Sequence, residues 1–167
     1  MMLKYLAIAA AVSATGLLAQ AQNAGQIASV QEGHSCPGCN LFQANLSYHD
    51  LDSLDLSGSR LRQADLSLST MNNADFEASD LSITNLFGAR FTGANFHDAN
   101  LERATMVGAY FGGANMAGAN LFGANLSGAE FQTAHGLTQS QLNQACGDVD
   151  TRLPAGLSVP SCTPGMH

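Results

Sequence analysis

Large apolar residues recur at every fifth position through the middle of the chain. Reading from Leu41 to Phe131 in steps of five gives nineteen consecutive positions, and each of them is Leu, Met or Phe. The residue two positions earlier is usually small, and it is Ala in every unit from Ala89 to Ala134. The residue between the two is usually Asn or Asp. A period of five fits neither the 3.6-residue repeat of an amphipathic helix nor the two-residue alternation of an ordinary strand.

This five-residue period predicts a chain that turns a corner once in every unit. The large and the small residue of each unit point inward and the other three point outward, so four units close a square coil of twenty residues. Successive coils then pair their backbone groups at about 4.8 Å spacing, and nearly five coils make a rod about 23 Å long. Glycine often follows the large residue by two positions, as at Gly88 and Gly108, where it permits turn conformations that a β-carbon resists.

The units Ala-Asn-Leu-Phe-Gly, Ala-Asn-Leu-Ser-Gly and Ala-Asp-Leu-Ser-Leu resemble those of the pentapeptide-repeat family, over about residues 39–135. The resemblance implies an all-β solenoid, a right-handed quadrilateral β-helix, which agrees with the square coil predicted from the period. Much of this family has no assigned biochemical role, so the resemblance does not supply one. Some members are acidic rods that mimic duplex DNA and inhibit DNA gyrase.

The N-terminal end of the predicted solenoid needs a cover, because an open end exposes unpaired backbone and apolar core. In the first coil Cys39, His49 and Leu54 occupy inward positions that later coils give to Ala, Ser or Thr. This difference predicts a cap formed by residues 22–38. We interpret His49 as a partly buried histidine with a backbone partner, although its ring could also bind a ligand.

Residues 136–167 are predicted to form the C-terminal cap, because the five-residue period stops there. Thr138 is placed to be a helix N-cap, and Gln141 three residues later completes a capping box. Gly147 is placed to end the same helix. The pattern therefore predicts a short capping α-helix over 139–146, followed by an irregular tail.

The first 21 residues have the three-part build of a secretory signal peptide. Lys4 supplies the positive charge, Tyr5–Leu18 is apolar, and Ala19-Gln20-Ala21 is a small-x-small cleavage site. The apolar stretch of about 14 residues falls short of the roughly 20 needed to span a bilayer, so we expect no stable membrane insertion. We expect residues 1–21 to be cleaved before Gln22, which would place the protein in the periplasm or outside the cell, where thiols are oxidised.

A cluster of cysteines and histidines precedes the repeats and is the one group of residues that suggests chemistry. The even count of four cysteines in an exported chain predicts disulfides, Cys36 with Cys39 and Cys146 with Cys162. Two alternatives remain open, a zinc or copper site and thiol–disulfide exchange by the Cys-x-x-Cys pair. The candidate metal ligands are His34, Cys36, Cys39 and His49.

The net charge and the motif content of the sequence exclude several classes of function. The chain carries 13 acidic and 6 basic residues, for a net charge of −7, and no basic stripe that would hold phosphates, so direct nucleic-acid binding is not expected. The sequence contains no Gly-x-Ser-x-Gly elbow, phosphate loop, His-Glu-x-x-His pair or dinucleotide fingerprint, so we expect no enzyme and no cofactor.

DNA mimicry stays a third hypothesis, because several acids come close together on one side of the predicted rod. Two observations weigh against it. An exported protein does not meet gyrase, and the acids are far sparser than the phosphates of a duplex, which place about one charge every 1.7 Å. The acids concerned are Asp55, Asp75, Glu77 and Asp98.

Another side of the predicted rod carries one apolar outward residue in each of four successive coils. These residues are Tyr48, Leu68, Phe87 and Val107. Contiguous apolar patches usually mark interaction sites, although single apolar residues are also common on protein surfaces. We expect this stripe to dock the mature N-terminal segment or to contact a homodimer partner or another protein. The sequence as a whole predicts a non-enzymatic interaction or structural module.

Overall fold

The computed structural model describes residues 22–163 and shows the five-residue period as a ladder of parallel β-bridges. Every fifth residue from Asn40 to Asn115 is bridged to the residue twenty positions later. The bridges are single-residue contacts rather than long strands. Because a bridge occurs every five residues and its partner lies twenty away, each coil has four sides and the coils stack in register.

The four sides are numbered here by the large inward residue that each has in the first coil. In order, these residues are Leu41, Leu46, Leu51 and Leu56. The five coils are numbered from the N-terminal end and begin at residues 40, 60, 80, 100 and 120. Outward residues twenty positions apart lie above one another and form columns that run along the stack.

Two sets of backbone hydrogen bonds build each corner. Across each corner, the N–H of the small residue of one unit donates to the carbonyl of the large residue of the preceding unit, as from Ala64 to Leu61 at 2.9 Å. Between coils, the N–H of Leu61 donates to the carbonyl of Asp80 at 2.7 Å. The residue two after the large one has a positive φ, for example 65° at Gly108, as the third residue of a type II turn requires.

The inward residues form one continuous apolar core along the stack. The large residues of side 3 become aromatic toward the C-terminal end, and the rings of Phe91, Phe111 and Phe131 stack at centroid distances of 5.2 and 4.5 Å. On side 4 the rings of Phe76 and Phe96 stack at 4.9 Å. Stacked rings of this kind add about 0.5–1.5 kcal/mol per pair to the burial of their apolar surface.

The N-terminal cap contains a helix, α1, Ala24–Gln31, which the sequence pattern did not predict. Its glutamine side chains bond backbone groups of the first coil that have no earlier coil to pair with. The Gln26 side-chain oxygen accepts from the N–H of Asn40 at 2.8 Å, and the Gln31 amide donates to the carbonyl of Asn45 at 2.8 Å. The cap thus satisfies part of the open end of the ladder.

The ladder begins earlier than the predicted boundary between a cap over 22–38 and the repeats. The N–H of Cys36 donates to the carbonyl of Asp55 at 2.8 Å, and the N–H of Gly38 donates to that of Ser57 at 2.8 Å. These are the same contacts that the later units make. Residues 36–38 therefore belong to the stack and not only to its cover.

The C-terminal cap begins with a second helix, α2, Gln139–Leu142, whose N-cap is Thr138. The predicted capping box with Gln141 is confirmed. The Gln141 amide also donates to the carbonyls of Met116 and Ala119, each at 2.9 Å. One side chain therefore ties the helix start to the last complete coil.

Helix α2 is shorter than the predicted helix over 139–146. Cys146 is drawn into the ladder instead and is bridged to Asn125, and Gly147 is bridged to Ser161 rather than ending the helix. The ladder contacts satisfy backbone groups of the last coil that a longer helix would leave unpaired. The tail continues the stack as an irregular sixth coil.

Candidate interaction surface

The apolar residues of the predicted stripe lie on side 2 in two neighbouring columns. The first column is Ser47, Ser67, Phe87, Val107 and Ser127, and the second is Tyr48, Leu68, Gly88, Gly108 and Gly128. The apolar side chains stand in the second column in coils 1 and 2 and in the first column in coils 3 and 4. The four apolar residues Tyr48, Leu68, Phe87 and Val107 are hereafter the side-2 stripe.

The side-2 stripe is open to solvent over most of its length. The side chains are 77% exposed at Tyr48, 44% at Leu68 and 48% at Phe87, while Val107 is half-buried. The N–H of Leu68 donates to the carbonyl of Phe87 at 2.8 Å, so the two columns meet between coils 2 and 3. The structure therefore brings the four predicted residues onto one continuous surface.

Two of these residues have a backbone conformation that favours glycine, which eight other non-glycine residues between 22 and 163 share. Tyr48 has a φ of 60° and Leu68 a φ of 56°, in the left-handed region that costs a residue with a β-carbon about 1–2 kcal/mol. Glycine occupies the same column in coils 3 to 5. Ile83 on side 1, which is 39% exposed, has a φ of 58°. Large apolar side chains are thus displayed at positions whose backbone favours glycine.

The side-2 stripe differs between its two ends. At Gly88 a β-carbon would stand 2.7 Å from Leu68 Cδ2, so the Leu68 side chain already covers that glycine. At Gly108 nothing lies within 4 Å of the place that a β-carbon would take. Tyr48 therefore projects from coil 1, while the same column carries no side chain at Gly108 in coil 4.

Polar residues border the stripe on both sides. In the preceding column the Asp65 carboxylate accepts from the Ser67 N–H and from the Asn85 side-chain amide, each at 3.0 Å. In the column beyond the corner, Asp50 and Arg90 are exposed. An apolar strip between polar borders is the usual composition of a small contact surface.

The mature N-terminal segment does not cover the stripe in the described part of the chain, which corrects one of the three expected occupants. Its side chains contact the end of the first coil, where the Gln22 amide donates to the carbonyl of Gln43 at 3.1 Å. Polar groups of residues 22–35 hydrogen-bond that end of the stack, because its backbone has no earlier coil with which to pair. A second copy or another protein is the remaining expectation.

All four cysteines form disulfides, Cys36 with Cys39 and Cys146 with Cys162. Cys36 takes the large inward position of one unit and Cys39 the small inward position of the next. Cys39 is only 5% exposed. The first disulfide therefore lies within the stack, and the second joins the ladder residue Cys146 to the tail.

The structure does not assemble the candidate metal ligands His34, Cys36, Cys39 and His49. Nδ1 of His34 lies 3.2 Å from the Ser29 carbonyl oxygen, and Nδ1 of His49 lies 2.8 Å from the Ser47 carbonyl oxygen. Between residues 22 and 163 no three His, Cys, Asp or Glu side chains are grouped closely enough to hold a metal ion. Each histidine instead has a local backbone partner.

The acidic residues of side 4 are engaged in turn and column contacts. The Asp75 carboxylate accepts from the Glu77 N–H at 2.9 Å and from the Asn95 amide at 3.0 Å. His97 Nδ1 lies 3.5 Å from the Asp98 carboxylate and 3.9 Å from that of Glu77. The Asp55 carboxylate accepts hydrogen bonds from both the N–H and the hydroxyl of Ser57.

Two exposed apolar residues of side 1 were missed by sequence reasoning. Ile83 is 39% and Phe122 is 56% exposed. Both occupy outward positions of their units, so sorting the outward residues into columns would have found them.

Neither of the helices described between residues 22 and 163 has the length and apolar character that crossing a bilayer requires.

Comparison with known proteins agrees with the repeat geometry. A family model for pentapeptide repeats in eight copies matches residues 35–73, 69–108 and 99–135. A comparison with curated protein sequences found no significant match.

The chain is similar to several solved structures. The chain is 27% identical, with a TM-score of 0.53, to the pentapeptide-repeat protein AT2G44920 from the thylakoid lumen of Arabidopsis thaliana, over 74% of this chain and 81% of that one. It is 25% identical to alr5209 from Nostoc PCC 7120, with a TM-score of 0.44 and coverages of 82% and 88%. It is 19% identical to the plasmid-mediated fluoroquinolone resistance protein QnrB1, with a TM-score of 0.46 and coverages of 76% and 78%. With its bridges twenty residues apart and the family match over most of its repeats, the chain belongs to the pentapeptide-repeat family.

Proposed function

We propose that this protein is an exported, non-enzymatic module that acts by contact, through the side-2 stripe, with another protein surface. Its scaffold is a right-handed quadrilateral β-helix, as the family resemblance implies, braced by two disulfides. One observation carries the proposal: Tyr48 and Leu68 expose large apolar side chains at left-handed backbone positions.

Backbone conformation and exposure together describe how Tyr48 and Leu68 are displayed. Glycine at both positions would relieve the left-handed strain, as it does at Gly88 and Gly108 in the same column. The Tyr48 side chain, 77% exposed, recovers little of that cost by burial. Eight other non-glycine residues between 22 and 163, such as Gln63 and Arg103, share this backbone conformation. What distinguishes Tyr48 and Leu68 is that their exposed side chains are large and apolar, which suits contact with a partner.

Export is supported by the N-terminal sequence and by the cysteines. The signal-like segment 1–21 lies outside the described residues. The pairing of all four cysteines as disulfides suits an oxidising compartment. Intact-mass measurement of protein from the extracytoplasmic fraction tests this. We expect a chain that starts at Gln22 and lacks four thiol hydrogens; retention of residues 1–21 in the mature protein, or free thiols, would contradict it.

Site-specific photo-crosslinking tests the contact surface. A photoreactive residue replaces Ser67, which lies in the first column next to Leu68, in cells that produce the protein naturally. The matched control replaces Ser57, which follows a large inward residue in the same way, is also half-buried, and lies on the opposite side 4. We expect a covalent adduct with a protein from position 67 and none from position 57.

A variant of the stripe connects the adduct to the proposed side chains. In a Tyr48→Gly, Leu68→Gly background the adduct from position 67 should disappear while the protein still folds. Absence of any adduct from position 67 in the unmodified background would refute the proposed contact. The same preparation, assayed for zinc and copper, tests the metal-site hypothesis, since a stoichiometric metal would move the working site to the N-terminal cap.

A further inference from the structure

We propose that a pocket on side 1 binds a small organic carboxylate, with Arg60 and Arg62 as the groups that hold its charge. The pocket has a volume of about 220 Å³ and is lined by Phe42, Arg60, Arg62 and Gln63. Pockets for drug-sized ligands measure about 300–1,000 Å³, so this one suits a smaller molecule. The inference goes beyond the proposed function, because side 1 does not carry the side-2 stripe.

The repeat geometry brings the lining residues to one place. Phe42 and Arg62 lie one coil apart along the chain, so they share a column of side 1 in coils 1 and 2. Arg60 and Arg62 flank Leu61, which points into the core. Both arginine side chains therefore leave the same unit on its outer surface, and Gln63 adds a side-chain amide beside them.

The Phe42 ring positions the Arg60 guanidinium. The guanidinium carbon lies 4.9 Å from the centroid of the ring, which is the geometry of a cation–π contact. This contact uses the flat face of the guanidinium, and the N–H groups at its edge can serve more than one oxygen acceptor. Phe42 and Arg60 are both half-buried, so the donors are held in place before a ligand arrives, which reduces the entropic cost of binding.

The polar groups that line the pocket are hydrogen-bond donors. The Arg62 guanidinium is exposed and has no hydrogen-bond or ion-pair partner among residues 22–163. The Gln63 side-chain oxygen already accepts from the Gln43 amide at 3.1 Å, which leaves the Gln63 amide nitrogen to donate to a ligand. Two guanidinium groups and an amide at one pocket are matched by an anion with oxygen acceptors.

The carboxylates that neighbour the pocket bond other groups. Asp80 is bridged to Arg60 in the ladder, but its Oδ1 accepts from the Ser82 N–H at 3.0 Å and from the Asn100 amide at 3.3 Å. The Asp65 carboxylate likewise bonds its own turn and the next coil. In a chain with 13 acidic and 6 basic residues, two arginines therefore line a pocket that includes no acidic residue.

Two properties of the pocket favour a carboxylate that carries an apolar group over a bare inorganic anion. The planar fork of a guanidinium matches the two oxygens of a carboxylate. The half-buried Phe42 ring supplies apolar surface that an inorganic ion would not use. A small aromatic or aliphatic acid therefore fits, with its carboxylate at the two arginines and its apolar part against Phe42.

Titration of the purified chain from Gln22, with its native disulfides intact, tests the site. The probes are benzoate, its uncharged analogue benzamide, acetate and inorganic phosphate, all at constant ionic strength. The Nε–H signals of the arginine side chains in nitrogen-edited NMR spectra report binding. We expect saturable shifts at Arg60 and Arg62 with benzoate at millimolar concentration, weaker binding of acetate and phosphate, and no binding of benzamide.

Two glutamine substitutions separate a specific site from general attraction to positive charge. Arg62→Gln should weaken benzoate binding about tenfold, the loss expected for one charge-assisted hydrogen-bonded pair. Because Arg62 has no partner among residues 22–163, this variant should stay folded. Arg103→Gln is the matched control, since it removes an exposed arginine of the same side that does not line the pocket. It should leave the affinity for benzoate unchanged.

Three results would overturn the carboxylate site: equal weakening by the two variants, binding of benzamide as tight as that of benzoate, or shifts that do not saturate. Phosphate binding tighter than that of benzoate would overturn the choice of an organic carboxylate. None of these results bears on the side-2 stripe, so the proposed function stands or falls by its own crosslinking experiment.

Discussion

Gly136 packs so closely against Ala117 that a β-carbon on Gly136 would stand 2.6 Å from the Ala117 backbone nitrogen. Gly136 also has a φ of 78°. At this residue the chain leaves the last repeat unit and turns toward α2. The contact therefore sets the direction in which the C-terminal cap crosses the end of the core.

Two glycine-to-alanine substitutions measure how much that contact contributes to the free energy of unfolding. Gly136→Ala should lower the free energy of unfolding by roughly 3 kcal/mol or more, because it adds left-handed strain and also forces backbone apart. Gly156→Ala is the control, since Gly156 has a φ of 84° but nothing within 4 Å of the β-carbon position. It should lose only about 1 kcal/mol. Urea titration measures both, and equal losses would contradict the steric argument.

Two buried serines of the same unit should respond to alanine in opposite directions. The Ser82 hydroxyl is buried without a hydrogen-bond partner in the described structure, whereas the Ser79 hydroxyl donates to the Phe76 carbonyl at 2.7 Å. Ser82→Ala should raise the free energy of unfolding by about 1 kcal/mol, and Ser79→Ala should lower it by a similar amount. A loss of stability in Ser82→Ala would show that its hydroxyl has a partner such as an ordered water.

The two disulfides should differ in their contribution to stability. The Cys146–Cys162 link spans 16 residues and the Cys36–Cys39 link spans three. By the chain-entropy relation, loss of the longer link costs about 3 kcal/mol and loss of the shorter about 1.6 kcal/mol. Thermal unfolding of the two Cys→Ser double variants measures the difference. A larger loss from the shorter link would indicate that the buried Cys39 contributes mainly through packing.

Acid should weaken the fold through specific carboxylates. The hydroxyl of Ser57, and then its N–H, donate to Asp55 and lower the pKa of that carboxyl below its ordinary 3.8. Because the folded pKa is the lower one, the contribution to stability is present above about pH 4 and is lost as the pH falls through the folded value. The free energy of unfolding should therefore decrease in that acidic range.

Removal of the Ser57 hydroxyl tests the cause of the shift. In Ser57→Ala the pKa of Asp55 should move up toward its ordinary value in an NMR titration of the carboxyl carbon. Asp148 is the internal control, since its pKa is lowered first by the N–H of Gly128, at the other end of the stack. An unchanged Asp55 titration would assign the shift to the Ser57 N–H instead.

The five-residue spacing carried most of the fold prediction. A period that repeats without insertion from Leu41 to Phe131 allows one way to bury every large residue, and the bridges twenty residues apart follow from it. The capping box of Thr138 and Gln141 was predictable for the same reason, because its hydrogen bonds join residues three apart. Helix α1 was not, since its stability comes from bonding the first coil and not from a strong apolar period of its own.

The side-2 stripe shows which of its properties the sequence determines and which the tertiary structure determines. The spacing alone determined that Tyr48, Leu68, Phe87 and Val107 share one side of the coil, because a five-residue unit and a twenty-residue coil assign every residue to a column. Tertiary structure decided how far each side chain projects, that Leu68 covers Gly88 and that Gly108 lies open. It also decided that the N-terminal segment bonds the end of the stack rather than the stripe. These outcomes depend on contacts between residues far apart in the chain, which a local period does not specify.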